Sequence, residues 1–461
     1  MATAQHDPPD EISVLTLNVW GLLHISALRP QRMTEIGKHI NALAPAIVCL
    51  QELFTQSDYH LIRQATVDLL PYGKYYFSGA FGGGLAILSR YPIEESTFTP
   101  YTLNGRPTAF WRGDWFVGKG IARATIRIAP GPGGPQGLVD IFNTHTHAPY
   151  ESGPRDSYIT HRLAQSWQAG KLIRDSMHKG RLIIAAGDWN MRPDSLPYRL
   201  LLDQTTSALQ DSWRALHPQS ALGPNHKAPP TARHNIVENG MTSNNVLNTW
   251  RWSKEAQKKL LKGDPQPVSP DEADPHGQRL DYVFVSTSVA GSEDWLIKGA
   301  KVVMTERHPE LHVSLSDHFG VLTTLKRPGA DPSLPTQPAP KTAQVKDKYS
   351  LDMYDQILER LQWYTTREHS QKFWRRTRFY VGLLLWVACL VAVWFVPHSY
   401  IAFILMLVAS LVLTGCTIEG LLSLLFFNSE LRSLREFEWE IRNAKAVGSG
   451  NSQTTVYGSL Q

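Results

Sequence analysis

The stretch Ile183-Ile184-Ala185-Ala186-Gly187-Asp188-Trp189-Asn190-Met191-Arg192-Pro193 joins an apolar run to two polar side chains. Its four leading apolar residues predict a buried β-strand, which Gly187 and Pro193 bring to an end. Residues two apart in an extended chain point the same way, so Asp188 and Asn190 would share one side of the strand end. This arrangement suits an active site in a layered α/β fold, and it equally suits an ordinary Asx turn.

The composition predicts one large domain joined to a further segment. The chain has 461 residues, of which 42% are hydrophobic, enough to build a sizeable core. Its formal net charge of +5 is mild and does not by itself indicate a nucleic-acid partner. Cys49, Cys389 and Cys416 lie in apolar runs, which indicates no disulfide framework and a reducing compartment. The polar residues 1–10 lack the pattern of a signal peptide and are predicted to be disordered.

Polar side chains recur along the first part of the chain where predicted strands end or begin. They are Asn18, Glu52, His145, His147, Asp188, Asp281, Asp317 and His318. Taken singly, each is more often a solvated or structural residue than a functional one. Because ligands gather at strand ends in layered α/β folds, the recurrence indicates one shared site. Carboxylate oxygens suit Mg²⁺, and a histidine with an aspartate partner can move a proton.

Six motifs carry a resemblance to a known superfamily. They are LNVWGL, QEL, NTHTHA, GDWN, RLDYVFV and LSDHFGV, in this order, between residues 13 and 325. In that order they resemble the endonuclease/exonuclease/phosphatase superfamily. The resemblance implies a four-layer α/β sandwich, in which two mixed sheets face each other and helices flank them. It also implies that the GDWN stretch positions the attacking water and the phosphate.

A further segment narrows the resemblance to sphingolipid hydrolases. GDWFVGKGIARATI, residues 113–126, is similar to a segment of neutral sphingomyelinases and of their fungal relatives, the inositol phosphosphingolipid phospholipases C. The GKG within it lacks the spacing of a Walker P-loop, which argues against nucleotide binding. NTWRW, residues 248–252, and two apolar C-terminal segments fit the same group. The fungal phospholipase C is favoured, with an animal-type neutral sphingomyelinase as the alternative.

This group implies a reaction, a cofactor and a set of lipid partners. The reaction is hydrolysis of a sphingolipid phosphodiester to ceramide and a phosphorylated headgroup, with Mg²⁺ as the cofactor. The implied substrates are inositol phosphosphingolipid and sphingomyelin. Anionic phospholipids, phosphatidylserine and cardiolipin among them, are implied as activators that act through the membrane-proximal region.

The resemblance also implies a role for each residue on the metal side of the site. Glu52 would bind Mg²⁺ with Asn18 nearby, and Asp317 would support the metal. His318 would act as the general base toward water, and Asp281 would orient it. Whether the site takes one metal ion or two is left open.

A second set of implied roles concerns the phosphate. Asp188 and Asn190 would place the attacking water and a phosphate oxygen. His145 and Lys119 would neutralise the negative charge that develops there. Asp114 would shape the loop that carries Lys119.

Composition divides the whole chain into a catalytic domain, a linker and membrane segments. Residues 11–326 form the predicted catalytic domain, and the Pro-rich residues 327–348 form a predicted linker. Residues 349–378 are predicted to be an amphipathic, basic juxtamembrane helix. The uncharged residues 379–396 and the apolar residues 400–427 approach the length of bilayer spans. They predict a transmembrane hairpin of two helices rather than a pair of buried core helices.

Basic residues on either side of the two predicted spans give an orientation. They are Arg367, Lys372, Arg375, Arg376 and Arg378 before the first span, and Arg432, Arg435, Arg442 and Lys445 after the second. By the positive-inside tendency both ends face the cytosol, including the predicted helix and tail of residues 428–461. We therefore predict an integral protein of the endoplasmic reticulum or mitochondrial membrane with a cytosol-facing catalytic domain. Packing of the membrane helices between protomers would allow a homo-oligomer.

Three other functions are weighed against this interpretation. A nuclease of the same superfamily is disfavoured by the membrane hairpin and by the missing basic stripe, so no nucleic-acid partner is predicted. An inositol-polyphosphate 5-phosphatase would carry a Pro-Ala-Trp-Cys-Asp-Arg type of segment, which this sequence lacks. A membrane scaffold on a degenerate enzyme fold would have lost metal or base residues, which this sequence retains.

The insert at residues 217–278 is predicted to be loop-like, and His147 has no assigned role.

Overall fold

The structure, a computed structural model, describes residues 9–129, 137–151, 153, 156–205, 208–220, 229–264, 267–286, 295–327 and 348–449. The chain divides into two units, Met1–Val345 and Lys346–Gln461. Most of the N-terminal segment predicted to be disordered lies outside the described residues. The same holds for nearly all of the predicted linker and for the end of the predicted C-terminal tail.

Two six-stranded sheets form the centre of the described part of the first unit. Their strands are β1 (Glu11–Asn18), β2 (Ile47–Gln51), β3 (Tyr72–Tyr76), β4 (Leu85–Ser89), β5 (Ile93–Pro100), β6 (Gly120–Arg127), β7 (Leu138–His145), β8 (Leu182–Asp188), β9 (Leu209–Asp211), β10 (Asp281–Ser286), β11 (Leu296–Val303) and β12 (Gly320–Lys326). The first sheet has the order β11-β12-β1-β2-β4-β3, and the second has the order β5-β6-β7-β8-β10-β9. Each sheet is mixed, because β1–β2 and β7–β8 are parallel pairs among antiparallel neighbours.

Helices cover the outer faces of both sheets. The α-helices described in the first unit are α1 (Arg29–Leu43), α2 (Gln56–Thr66), α3 (Asp114–Val117), α4 (Ile159–Met177), α5 (Leu196–Gln204), α6 (Ser212–Leu216), α7 (Ala232–Val237) and α8 (Lys254–Leu261). Met33 and Ile62, from α1 and α2, belong to the apolar core on the first sheet. Ile173 and Leu201, from α4 and α5, belong to the core on the second sheet. The helix–sheet–sheet–helix order confirms the predicted four-layer α/β sandwich.

A third apolar core fills the space between the two sheets. Alternate residues of each strand point inward, so Cys49 of β2 and Ile184 of β8 are both fully buried there. The buried position of Cys49 is that of an ordinary core residue. A polar bridge crosses this layer, because Asn143 of β7 accepts a hydrogen bond from Gln51 Nε2 at 2.8 Å. The Asn143 amide also donates to the carbonyl oxygens of Leu50 and Ala86, each at 2.9 Å.

The strand directions bring the predicted site residues to one end of the sandwich. In the parallel pairs, Asn18 lies opposite Gln51, and His145 lies opposite Asp188. The antiparallel β10 begins at Asp281, directly opposite Asp188. The carboxyl ends of the two parallel pairs therefore face the start of β10.

Gly187 is required where β8 passes β7. Its φ is +146°, and a Cβ there would lie 2.1 Å from the carbonyl oxygen of Thr144. Any side chain would push the two strands apart at this point. The glycine that ends the apolar run in the sequence therefore lets Asp188 sit beside His145.

The predicted loop at residues 217–278 is partly wrong, because its described residues include two short helices. α7 begins after Thr231, whose side chain accepts a hydrogen bond from the His234 backbone. α8 begins after Ser253, whose side chain accepts from the Ala256 backbone. Side-chain caps of this kind stabilise short helices that lack a strong apolar pattern, and burial of Leu260 anchors α8.

The second unit consists of long helices. They are α9 (Lys348–Ala392), α10 (Ser399–Leu421) and α11 (Phe427–Gly448), with a short 3₁₀ turn over Val393–Phe395 and a π-helical turn over Leu422–Phe426. The predicted juxtamembrane helix and first span are thus one continuous helix. The segments Leu351–Phe395 and Ser399–Gly448 are long and apolar enough to cross a membrane. Little of either apolar stretch is buried in the structure, which argues against core helices.

Close packing and one ion-pair cluster hold α9 against α10. A Cβ on Gly382 would lie 2.4 Å from Cys416 Cβ, and one on Gly420 would lie 2.7 Å from the Phe379 ring. Glycines at such contacts let two helices approach closely.

Glu419 accepts hydrogen bonds from Arg375 at 2.8 Å and from Arg378 at 3.4 Å. The one acidic residue in the second apolar segment is therefore neutralised by the first helix.

We expect Asn143→Ala to lower the free energy of unfolding of the first unit by about 2–3 kcal/mol, because Gln51 and the carbonyl oxygens of Leu50 and Ala86, all in the first sheet, each lose a buried hydrogen bond. The measurement is urea denaturation of the full chain in detergent, followed by tryptophan fluorescence. Thr97→Ala, at an exposed position of β5, is the matched control and should leave the midpoint unchanged. Equal midpoints for the two variants would contradict a stabilising inter-sheet bridge.

Candidate active site

A histidine–aspartate pair lies where β10 begins. His318 Nδ1 is 2.8 Å from Asp281 Oδ2. The Thr242 hydroxyl donates to the same carboxylate oxygen at 2.5 Å and fixes its orientation. Ligand atoms of Asp188, Asp281 and His318 all lie within 4.8 Å of one another, so this buried group has a spacing that could hold a metal ion.

Asn18 links the two sheets within the site. Its side-chain amide donates to Glu52 Oε1 at 3.0 Å and to Asp188 Oδ2 at 3.1 Å. Its carbonyl oxygen accepts from the Trp20 backbone at 3.0 Å, which fixes which end of the amide faces the carboxylates. Asn18 therefore connects Glu52 of the first sheet to Asp188 of the second.

Glu52 is held in an uncommon backbone conformation. Its φ is +55°, in the left-handed region, directly after the end of β2. The Gly21 backbone donates to its carbonyl oxygen at 2.9 Å, and a Cβ on Gly21 would lie 2.3 Å from that oxygen. The loop after β1 therefore approaches Glu52 only because residue 21 is glycine.

Lys119 lies in a buried cluster on the other side of the site. Its ammonium is 2.8 Å from Asp114 Oδ1, 3.0 Å from His145 Nε2 and 2.8 Å from the carbonyl oxygen of Thr146. Tyr150 donates to the second oxygen of Asp114 at 2.5 Å. His145 Nε2 lies 3.5 Å from Asp188 Oδ2, so this cluster adjoins the carboxylates.

The GDWN stretch forms an Asx turn and also contributes to the site. The Asn190 backbone donates to Asp188 Oδ1 at 3.0 Å, which is the bond of an Asx turn. The Asn190 side chain donates to the Thr146 carbonyl oxygen at 3.1 Å, the same oxygen that Lys119 contacts. The Asx turn is therefore present, and it places Asn190 at the same carbonyl oxygen that Lys119 contacts.

His147 and Asp317 occupy the margins of the group. The His147 ring stacks on Tyr158 with 4.0 Å between ring centroids, and its Nε2 is 3.8 Å from Asp114. These contacts place His147 beside Asp114 rather than beside the carboxylates of Glu52 and Asp188. The Asp317 carboxylate accepts a long hydrogen bond of 3.4 Å from Ser316, and its charge acts on Glu52. The structure thus brings together the residues predicted from the sequence.

Burial and neighbouring charges shift the pKa values of the acidic residues and of His318. Burial, together with the charge of Asp317, raises the pKa of Glu52 to about 7. Burial and the charge of Asp281 raise the pKa of Asp188 to about 6. Burial lowers the pKa of His318, but the carboxylates of Asp281 and Asp188 outweigh it and hold that pKa well above its usual range. The clustered carboxylates therefore repel one another and favour a bound cation.

On the Lys119 side of the site, a buried positive charge lowers the pKa values of the neighbouring groups. Burial and the Lys119 charge lower the pKa of His145 well below its usual range, so its imidazole is neutral and accepts from the ammonium. Burial raises the pKa of Asp114, but Lys119 and His147 outweigh it and hold that pKa well below its usual range. Asp114 and Lys119 thus form a buried ion pair.

The donor set fits a divalent metal ion. Glu52 Oε2 and Asp281 Oδ1 are buried and have no hydrogen-bond partner among the described residues. An unpaired buried carboxylate oxygen is costly unless a cation or a proton satisfies it. Hard oxygen donors of this kind suit Mg²⁺, Mn²⁺ or Ca²⁺.

Some residues that shape the site carry no sequence signal. Arg32 of α1 is fully buried and donates to the carbonyl oxygens of Val19 at 3.0 Å, Trp20 at 2.7 Å and Leu315 at 2.8 Å. It ties the segment after Asn18 to the segment before Asp317. In the sequence, an arginine on an amphipathic helix reads as a solvated residue. Thr242 and Tyr150 were likewise missed, because their partners are distant in sequence.

We expect divalent cations to bind more tightly as the pH rises through about 7, because protonation of Glu52 competes with the metal below that value. The measurement is the rise in Tm of the full chain on titration with Mg²⁺ at pH 6 and at pH 8. Glu52→Gln should remove most of the rise at both pH values. Glu255→Gln, at an exposed position of α8, should behave as the unchanged chain does. A full Tm rise in Glu52→Gln would rule out Glu52 as a ligand.

Comparisons with known proteins identify the family of this chain. Residues 15–318 match the Endonuclease/Exonuclease/phosphatase family. The chain is 33% identical over 438 residues to the inositol phosphosphingolipids phospholipase C of Schizosaccharomyces pombe, covering 95% of each chain. It is 32% identical to the Saccharomyces cerevisiae protein of the same name, over 94% of this chain and 90% of that one. Human sphingomyelin phosphodiesterase 2 is 27% identical over 68% of this chain and 64% of its own length. The chain therefore belongs to the endonuclease/exonuclease/phosphatase family and, within it, to the enzyme group of inositol phosphosphingolipid phospholipases C and neutral sphingomyelinases, as its motifs predicted.

Proposed function

We propose that this chain is a Mg²⁺-dependent phospholipase C that hydrolyses inositol phosphosphingolipids, and also sphingomyelin, to ceramide and a phosphorylated headgroup. The observation that carries the proposal is the convergence of the His318–Asp281 pair, Asp188 and Lys119 on one buried site. The proposal is supported by sequence identities of 33% and 32%, over nearly the whole chain, to two fungal proteins named for this activity. An animal-type preference for sphingomyelin is the alternative.

The general base in this mechanism is His318. Its Nδ1 is engaged by Asp281, so Nε2 is the nitrogen that takes a proton from the attacking water. Asp281 stabilises the imidazolium that results. The departing ceramide oxygen lies opposite the attacking water in an in-line displacement, so it takes its proton from solvent, and His318 later releases its own proton to solvent.

The phosphate is bound between Lys119 and the GDWN turn. Asp188 and Asn190 place the attacking water and a phosphate oxygen. Lys119 neutralises the negative charge that develops on phosphorus oxygens. Neutral His145 holds Lys119 in place, which refines the charge-neutralising role that the resemblance implied for it. Asp114 fixes the lysine from the opposite side.

The residue that would hold the metal is Glu52, with Asn18 and Asp317 beside it. When bound there, Mg²⁺ would polarise a phosphoryl oxygen and stabilise the negative charge on the departing ceramide oxygen. Asn18 donates to Glu52 Oε1 and leaves Oε2 available for the cation.

Membrane anchoring places this activity at its substrate. We take residues 379–396 and 400–427 as two spans with both ends in the cytosol, in the endoplasmic reticulum or mitochondrial membrane. The apolar hairpin of α9 and α10 supports this assignment. Confinement to the bilayer raises the local concentration of lipid headgroups.

The test of the activity is product analysis in mixed micelles with Mg²⁺. Inositol phosphosphingolipid, sphingomyelin and abasic-site DNA are supplied in parallel. We expect ceramide release that stops with chelator and falls at least about a hundredfold in His318→Ala and in Glu52→Ala. His178→Ala, at an exposed position after α4, is the control and should retain full activity. Near-normal turnover in either site variant would refute the mechanism, and DNA cleavage without ceramide would refute the substrate class.

Activation by phosphatidylserine and cardiolipin is proposed to act through the basic end of the membrane-proximal helix. Arg375 and Arg378 already pair with Glu419, so replacing them would also leave that glutamate unpaired. Arg376 is exposed and makes no ion pair among the described residues, which makes it the cleaner probe.

We expect Arg376→Gln to weaken the response to anionic lipid, because a cation at the bilayer surface contributes about 1 kcal/mol of attraction. The measurement is ceramide release against the mole fraction of phosphatidylserine or cardiolipin. Activity without anionic lipid should stay unchanged. Arg442→Gln, which breaks an exposed pair with Glu438 on α11, is the control for loss of one positive charge. Identical lipid responses in the Arg376 variant and the unchanged chain would contradict the proposal.

A further inference from the structure

Exposed apolar side chains concentrate at the end of the first unit that holds the site. Six of them lie on three connections: Ile25 after β1, Phe77 and Phe81 between β3 and β4, and Phe110, Trp111 and Trp115 between β5 and β6. Their exposed fractions range from 42% to 69%. Aromatic side chains of this size usually bury most of their area, so a group of them indicates an interaction surface.

The strand register shows that these connections share one end. β3 and β2 both pair antiparallel with β4, so β3 ends beside the end of β2 that leads into Glu52. Pro100 of β5 pairs with Gly120 of β6, and the next residue of β6 pairs with Thr144, which adjoins His145. Residues 77–84 and 101–119 therefore leave the sheets where the catalytic residues lie.

The surface and the site are built from the same short segments. The Ala80 and Phe81 backbones donate to the Phe116 carbonyl oxygen at 2.8 and 3.2 Å, which holds the two connections together. The rings of Phe81 and Phe116 lie 5.7 Å apart. Exposed Trp115 directly follows buried Asp114, whose carboxylate contacts Lys119. A partner on these aromatic side chains would thus sit next to the phosphate-binding lysine.

We infer that these three connections form a surface, here named the aromatic rim, that docks on a lipid bilayer and opens the site toward lipid headgroups. This inference rests on the proposed function, since it assumes a substrate that resides in a bilayer. Phenylalanine and tryptophan side chains partition to the level of the headgroups, where an apolar ring and a polar edge are both accommodated. A protein seated on the aromatic rim would instead cover the approach to Lys119. The bilayer is the occupant that supplies the substrate and covers the apolar rings together.

The first test compares one substrate class in two physical states. The full chain is placed in nanodiscs that contain long-chain sphingolipid, or is given a short-chain sphingolipid dissolved below its critical micelle concentration. We expect the double variant Phe110→Ser/Trp111→Ser to lower ceramide release from the bilayer at least about tenfold, because membrane binding scales with buried apolar area. Turnover of the dissolved substrate should stay within about twofold.

The matched control removes exposed apolar side chains from the opposite end of the same unit. Val67→Ser/Tyr72→Ser is that control, because both side chains are exposed and Tyr72 begins β3 at the end away from the site. It should leave both activities unchanged. Equal loss on both substrates in the Phe110/Trp111 variant would place these residues in the site itself and overturn the docking role. No loss on either substrate would overturn it as well.

A second measurement does not depend on catalysis. Deuterium uptake of residues 77–84 and 107–116 is compared between the full chain in nanodiscs and the same chain held in amphipol. We expect slower uptake in the bilayer for both segments and no change around Tyr72. Unchanged uptake would reject the aromatic rim as a docking surface. If the chain released no ceramide from either substrate, the proposed function would fail, while this protection would still decide the docking.

Discussion

Asn18 donates hydrogen bonds from one amide group to Glu52 of the first sheet and Asp188 of the second, and the site depends on this bridge. The bridge is possible only because the two sheets face each other with their parallel pairs ending at the same level. An amide can satisfy two carboxylates at once without adding charge. Position 18 therefore favours asparagine, because an aspartate there would add a further negative charge to an already crowded group.

The charge distribution in the site follows from that arrangement. Burial, and after it the repulsion between neighbouring carboxylates, raises the pKa of Glu52 and of Asp188. The nearby Asp114–Lys119 pair is balanced, and it keeps its positive end directed toward His145. One side of the site thus favours a cation and the other favours an anion. A phosphodiester bound to a metal ion would satisfy both sides together.

In the second unit, too, oppositely charged neighbours stabilise a charged side chain in apolar surroundings. Glu419 lies in an apolar helix, where an isolated charge would be costly. Arg375 and Arg378 of the preceding helix contact it, and glycines at positions 382 and 420 let the two helices approach closely. Two of the basic residues that precede the first apolar segment therefore contribute to packing within the hairpin.

The amino-acid sequence by itself determined the strand ends, the order of the site residues and the two apolar C-terminal segments. These follow from local physics, because alternation, glycine breaks and uncharged runs are properties of neighbouring residues. It also indicated the family, since several motifs occur in a fixed order. The two capped helices of the insert and the continuity of α9 were not predicted, because weak local patterns left the boundaries open.

Only the tertiary structure decided which side chains meet. Arg32 contacts Val19 and Leu315, which are far apart in sequence, and Thr242 reaches Asp281 from within the insert. Hydrogen bonds of this kind depend on sheet register and on the packing of layers, which no local pattern encodes. The Asx turn at Asp188 was visible in the sequence, but its second role beside Lys119 appeared only when β7 and β8 were paired.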